Sequence, residues 1–198
     1  LHQPIPPKIH LITLIGILND LWKYRMNDST WTWVSGSATI YQRGVYGEKG
    51  KASIENVPGA RYGAVGWYDS LREELWLFGG YGYDNSSSGA SCLANIYVYI
   101  YIAHIKHSLH VIHLIGYLND LWRYRVNDST WTWISGSHTT NQPGVYGEKG
   151  NASTDNIPGA REGAVGWYDE STQEFWLCGG IGYFSTNSTL GMLLTLCS

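Results

Sequence analysis

The 198-residue chain is 43 % hydrophobic, as globular folds are, and carries a formal net charge of −3 with only 15 % charged residues. That balance argues against a nucleic-acid partner, because a basic face is the usual electrostatic footprint. Ten Trp, fifteen Tyr and twenty-four Gly against three Phe and two Met predict short aromatic strands joined by tight turns, an all-β chain.

Residues 1–17 carry Pro4, Pro6 and Pro7 and read as an irregular lead-in; no signal peptide is recognisable there, and the chain reads as a piece of something longer. From Leu18 the chain writes one text twice, with an offset of 100 positions: Leu18-Asn19-Asp20-Leu21-Trp22 returns as Leu118-Asn119-Asp120-Leu121-Trp122. Between residues 18 and 83 about 70 % of positions match their partners, and a fixed period of this kind marks a repeat architecture. Leu18–Met26 and Trp31–Ser35 are predicted strands around the polar turn Asn27-Asp28-Ser29-Thr30, hence an antiparallel hairpin.

A long loop, 36–60, follows, and loops of this length in a compact domain tend to carry function. Tyr62–Asp69 is the next predicted strand, small at Gly63, Ala64 and Gly66; Ser70–Glu73 turns it into Glu74–Phe78, closed by Gly79-Gly80. One repeat unit thus spans 18–89 and a second 117–183, with an irregular tail at 184–198. Between them, 90–116 breaks the composition: rich in Ile, Tyr and His and free of Trp. Its longest uncharged stretch, Cys92 to Ile105, falls short of the ~20 apolar residues of a membrane span. A loop insertion, a membrane-contacting segment and retained intron sequence are the three readings of it, and the sharp break at both edges favours the last.

Pro58-Gly59-Ala60-Arg61, Leu75-Trp76-Leu77-Phe78-Gly79-Gly80, Leu118 to Tyr124 and Trp131 together resemble one kelch repeat. The resemblance implies four-stranded antiparallel blades of a β-propeller, the fold shared with the galactose-oxidase β-domain. The strands then make one full blade, 58–80 with 118–137, flanked by two half-blades. Leu75–Phe78 should lie beside Asn119–Tyr124. Propellers close with roughly four or more blades, so this chain is an incomplete propeller, not a closed ring by itself; its exposed edges invite self-association.

Structural roles are expected for Gly79, Gly80, Gly179 and Gly180 at positive φ or close backbone approach, and for Trp31 and Trp131 as buried aromatics. Arg61 with Asp20, and Arg161 with Asp120, are expected ion pairs tying strand to strand. Cys178, standing where the first copy has Phe78, reads as a small core residue.

In a meander the long connections fall at one end of the sheets and the short turns at the other, and elaborated loops on a rigid scaffold are where binding is usual. Candidate binding residues at the long-loop end are Tyr41, Tyr46, Glu48, Lys49 and Tyr83, with Tyr146, Glu148, Lys149 and Tyr183. Sequons at Asn27, Asn85, Asn127, Asn151 and Asn187 are possible glycosylation sites and point toward an extracellular or secretory setting. No catalytic constellation stands out, and no cofactor or metal is expected: His104, His107, His110 and His113 recur every third residue, a spacing that converges on neither a helix nor a strand. The reading is a non-catalytic binding or scaffolding module for a protein or glycan. The alternatives are a propeller oxidase or lyase related to galactose oxidase, and a structural subunit self-assembling through its edges.

Overall fold

A computed structural model describes residues 15–85 and 115–185. Residues 1–14, most of the 90–116 interruption with its four histidines and Cys92, and the tail with Asn187 and Cys197 lie outside the described residues. Among the described residues the chain is all-β, without helix. The first unit contains β1 (Leu21–Arg25), β2 (Thr30–Ser35), β3 (Arg61–Tyr62), β4 (Val65–Asp69), β5 (Glu74–Phe78) and β6 (Tyr81–Tyr83). The second contains β7 (Ile115–Tyr117), β8 (Leu121–Arg125), β9 (Thr130–Ser135), β10 (Arg161–Glu162), β11 (Val165–Asp169), β12 (Glu174–Cys178) and β13 (Ile181–Gly182).

The hairpin turns form for a local reason. The Asp28 carboxylate accepts hydrogen bonds from the Thr30 backbone N–H at 3.3 Å and its hydroxyl at 2.6 Å, while Ser29 takes a left-handed φ of 54°. Asp69 likewise accepts from the N–H groups of Leu71 and Arg72 at 3.0 and 3.2 Å. Short side-chain carboxylates that bond the backbone two residues on close a turn without help from the rest of the fold.

The centre of the molecule is a four-stranded antiparallel sheet, β4-β5-β8-β9, built half from each unit. The pairing expected across its middle is present: Leu75 faces Tyr124, Leu77 faces Trp122 and Phe78 faces Leu121. Two-stranded sheets β1-β2 and β11-β12 flank it, and β3-β6-β7 and β10-β13 form small sheets beside it. Alternation along the strands sends Leu75, Leu77, Trp122 and Tyr124 to one face and Val65, Trp67, Phe78 and Leu121 to the other. The first face packs with Leu21 and Val34 of β1-β2 and with Tyr46, Trp131 and Trp133; the second packs against Phe175 and Leu177 of β12.

Several expectations are corrected here. The predicted strand Tyr62–Asp69 is two strands, because Gly63 turns left-handed (φ 64°) and brings its carbonyl 2.8 Å from the Gly163 N–H of the other unit. Gly79 and Gly80 do take positive φ, 65° and 98°, and a Cβ on Gly80 would sit 2.7 Å from the Tyr62 carbonyl oxygen. Ile115 and Gly116, counted with the interruption, belong to β7 and pair with Tyr83 and Gly82 of β6. Cys178 is exposed rather than a core residue, because nothing among the described residues covers the outer face of β12. Trp31 is 65 % exposed whereas Trp131 is 7 % exposed; identical text lies in different surroundings.

Candidate functional site

The two units are locked by one buried carboxylate. Asp120, at the entrance to β8, accepts four hydrogen bonds: Arg61 Nη1 at 2.7 Å, Arg61 Nη2 at 2.8 Å, the Tyr46 hydroxyl at 2.6 Å and Trp122 Nε1 at 2.6 Å. Arg61 directs its other donors to carbonyls, Nε to Gly59 at 3.0 Å and Nη1 to Gly79 at 2.9 Å. A planar guanidinium fork suits this bidentate contact, and a buried charge is tolerated only when its hydrogen bonds are complete. Burial alone would lower the pKa of Arg61, but the Asp120 charge and hydrogen bonds outweigh it and hold the guanidinium above its ordinary value. Burial, reinforced by the Asp120 charge, pushes the Tyr46 phenol well above its ordinary value.

The expected pairing is therefore corrected. Arg61 meets Asp120, not Asp20, because β5 takes β8 as its neighbour and not β1. Among the described residues Asp20 meets no cation and Arg161 no carboxylate; Asp20 accepts only from Trp22 Nε1, at 2.6 Å.

Loop 36–60 forms the second half of the junction. It runs along the edge of β9, with Gly50 N–H to Trp133 O at 2.8 Å, Ser53 N–H to Trp131 O at 3.2 Å and Asn56 Nδ2 to Trp131 O at 3.1 Å. Lys49 Nζ donates to Gly136 O at 2.8 Å and lies 4.3 Å from the Trp133 ring centroid, a cation–π contact. Of the candidate binding residues, Tyr46 is thus a core residue and Lys49 a clasp between units, roles the 100-residue identity could not separate from a free loop. Tyr83 is also buried, packed with Ala60 and Ile115. Tyr41 is half-buried, with its hydroxyl on Ile15 O at 2.8 Å. Glu48 stays exposed and pairs with Lys51 at 2.6 Å.

In the second unit the same loop has a free outer surface among the described residues. Tyr146, Glu148 and Lys149 are exposed there, Glu148 accepting from Asn151 Nδ2 at 2.6 Å. Tyr183 lies farther along, its ring 6.0 Å from that of Tyr117. Asn27 and Asn127 sit exposed in the hairpin turns, and Asn85 and Asn151 are exposed at the long-loop end. Among the described residues no three His, Cys, Asp or Glu side chains come together as a metal site. No protein-family model matches the chain, and no curated protein matches its sequence.

Proposed function

We propose that the chain is a non-catalytic binding or scaffolding module of kelch-type propeller blades, contacting a protein or glycan through its long loops. The observation that carries this reading is what loop 36–60 already does: its Tyr46, Lys49 and backbone grip the β8-β9 hairpin of the neighbouring unit. Loop 136–160 keeps the same backbone shape, with Gly147 and Gly150 at φ 58° and 89° against 60° and 83° for Gly47 and Gly50. It therefore presents a preformed contact surface, and preformed surfaces bind with less ordering cost. The kelch-type reading is supported by the antiparallel meander β4-β5-β8-β9, the positive-φ glycine pair after β5 and the position of Arg61 ahead of β4.

Hydrogen–deuterium exchange in the presence of a bound partner, drawn from a glycan array or from the chain itself, tests the assignment. Slowed exchange across 136–160, with the turns 70–73 and 170–173 unchanged, is expected. Protection confined to those turns would place the contact at the opposite end and overturn it.

A further inference from the structure

The two ends of the described molecule are the two halves of its own internal junction. At that junction the edge of β5 receives β8, Tyr46 and Arg61 grip Asp120, and loop 36–60 lies along β9. At one end, β12 has β11 on one edge and an open edge on the other among the described residues. Beside it, Tyr146, Asn156, Pro158, Arg161 and Leu177 line an open depression of about 300 Å³. These stand 100 positions after Tyr46, Asn56, Pro58, Arg61 and Leu77, of which Tyr46, Arg61 and Leu77 meet Asp120 or Trp122 inside the molecule.

The socket is already set. Arg161 donates Nε to Gly159 O at 3.0 Å and Nη1 to Gly179 O at 3.0 Å, the two carbonyl bonds that orient Arg61. Among the described residues no carboxylate meets it. Tyr146 is 56 % exposed where Tyr46 is 1 % exposed. At the other end, Asp20 holds Trp22 Nε1 at 2.6 Å, just as Asp120 holds Trp122, and has no cation among the described residues. Trp22 is 48 % exposed where Trp122 is fully buried, and β1 has an open edge among the described residues.

We infer that a second copy of this chain docks head to tail: β12 of one copy pairs with β1 of the other, and Tyr146 and Arg161 grip its Asp20. The register copies the internal one, in which Glu74 faces Arg125, Leu75 faces Tyr124 and Leu77 faces Trp122. It sets Glu174 opposite Arg25, Phe175 opposite Tyr24 and Leu177 opposite Trp22. Charge complementarity carries over, since Glu74 lies 3.6 Å from Arg123 and 3.8 Å from Arg125, and Glu174 would meet Lys23 and Arg25. Lys149 would cover Trp33 as Lys49 covers Trp133.

The occupant is a second copy because the depression asks for an aspartate, a tryptophan two residues on and a strand edge in one fixed register. This chain displays that set at its opposite end, with no partner strand among the described residues. The inference rests on the loop-contact reading and names its partner. Two different surfaces meet, so the contact is heterologous and propagates, as a ring where the rotation closes and as an open filament where it does not.

The test uses the full chain and two charge reversals, Asp20→Arg and Arg161→Glu. Neither residue has a charged partner in the described chain, so circular dichroism should match the wild type for both. Light scattering across micromolar concentrations should give the wild type a multiple of the single-chain mass and each variant the single-chain mass. Mixed one to one, the variants should assemble again, because the reversed charges at positions 161 and 20 attract each other across one contact while the second contact is native. Acrylamide quenching of tryptophan should fall in the wild type and the mixture relative to each variant alone.

A wild type that keeps the single-chain mass throughout overturns the inference. So do variants that assemble like the wild type, or a mixture that stays monomeric. A monomer whose 136–160 loop is still protected by another ligand removes self-assembly and leaves the loop contact standing.

Discussion

Arg61 and Asp120, 59 residues apart in sequence, meet through parallel hydrogen bonds of 2.7 and 2.8 Å with side chains 5 % and 0 % exposed. The pair ties β3 of one unit to the start of β8 in the next, at the seam where the central sheet changes from one repeat to the other. Its counterpart Arg161 follows the same Pro-Gly-Ala, makes the same bonds to carbonyls and has no such partner among the described residues. The contrast separates what a pair contributes from what an arginine contributes.

Arg61→Met should destabilise the chain by about 3–5 kcal/mol, because it leaves Asp120 buried and uncompensated. Arg161→Met, at a concentration where the chain is monomeric, should change stability by no more than about 0.5 kcal/mol. Urea midpoints of the two variants check this. Equal losses would mean that Arg61 acts through its carbonyl bonds, which both arginines make.

The tryptophans form a second matched pair. Trp131→Ala removes a ring packed against Tyr124 and Trp122 at centroid distances of 5.0 and 6.3 Å, and should cost about 3–5 kcal/mol. Trp31→Ala, at an exposed position whose ring contact among the described residues is with Tyr24, should cost less than about 1 kcal/mol in the monomer. Thermal or urea unfolding of both, compared side by side, reads the difference directly.

Alkaline pH should act through Tyr46. Its folded pKa is raised by burial and then by the Asp120 charge, above the ordinary 10.0. A raised phenol favours the folded state fully below the unfolded pKa, and that contribution drains away as pH climbs from about 10 toward the folded pKa. Stability should therefore fall above about pH 10, and tyrosinate absorbance at that pH should be unchanged by Tyr46→Phe, because burial and the Asp120 charge keep this phenol protonated there. Early loss of tyrosinate signal in Tyr46→Phe would show that the hydroxyl is open to solvent.

The boundary of the interruption gives a deletion test. Tyr83 and Ile115 are cross-strand partners, so a short connection suffices to join them. Joining Gly89 to Ile115 should preserve the melting temperature or raise it, since shortening the connection roughly fivefold lowers the closure cost by about 1–1.5 kcal/mol. Joining Gly89 to Tyr117 instead removes the buried Ile115 and two of the three β6-β7 residue pairs, and should lower the melting temperature relative to the shorter deletion. A shorter deletion that fails to fold would show that the removed segment belongs to the core.

The main strands and the polar turns were legible in the residues, because alternation and turn chemistry act over a few neighbours; the pairing of Leu75–Phe78 with Asn119–Tyr124 reaches across the interruption and was expected only from the family resemblance. The glycine breaks were legible in part: Gly79-Gly80 announced itself as a pair, whereas Gly63 looked like one small residue among several within a strand. The small strands β6 and β7 were not legible, since Tyr81–Tyr83 and Ile115–Tyr117 are too short to carry a period and pair across the whole interruption. Tyr46 and Lys49 read as loop residues because their partners, Asp120 and Gly136, lie 74 and 87 residues away.

The sequence by itself determined that the two units have the same local structure, since the same residues repeat at the same spacing and local geometry follows local text. It could not say which copy of a residue is buried. Asp20 and Asp120, Trp31 and Trp131, and Tyr46 and Tyr146 are identical letters in near-identical contexts. Burial and charge pairing depend on what another part of the chain lays against a strand. Loop 36–60 and the Arg61 guanidinium reach the second unit's β8-β9 hairpin, while the first unit's β1-β2 hairpin meets no equivalent loop among the described residues. Only the tertiary arrangement separates the two.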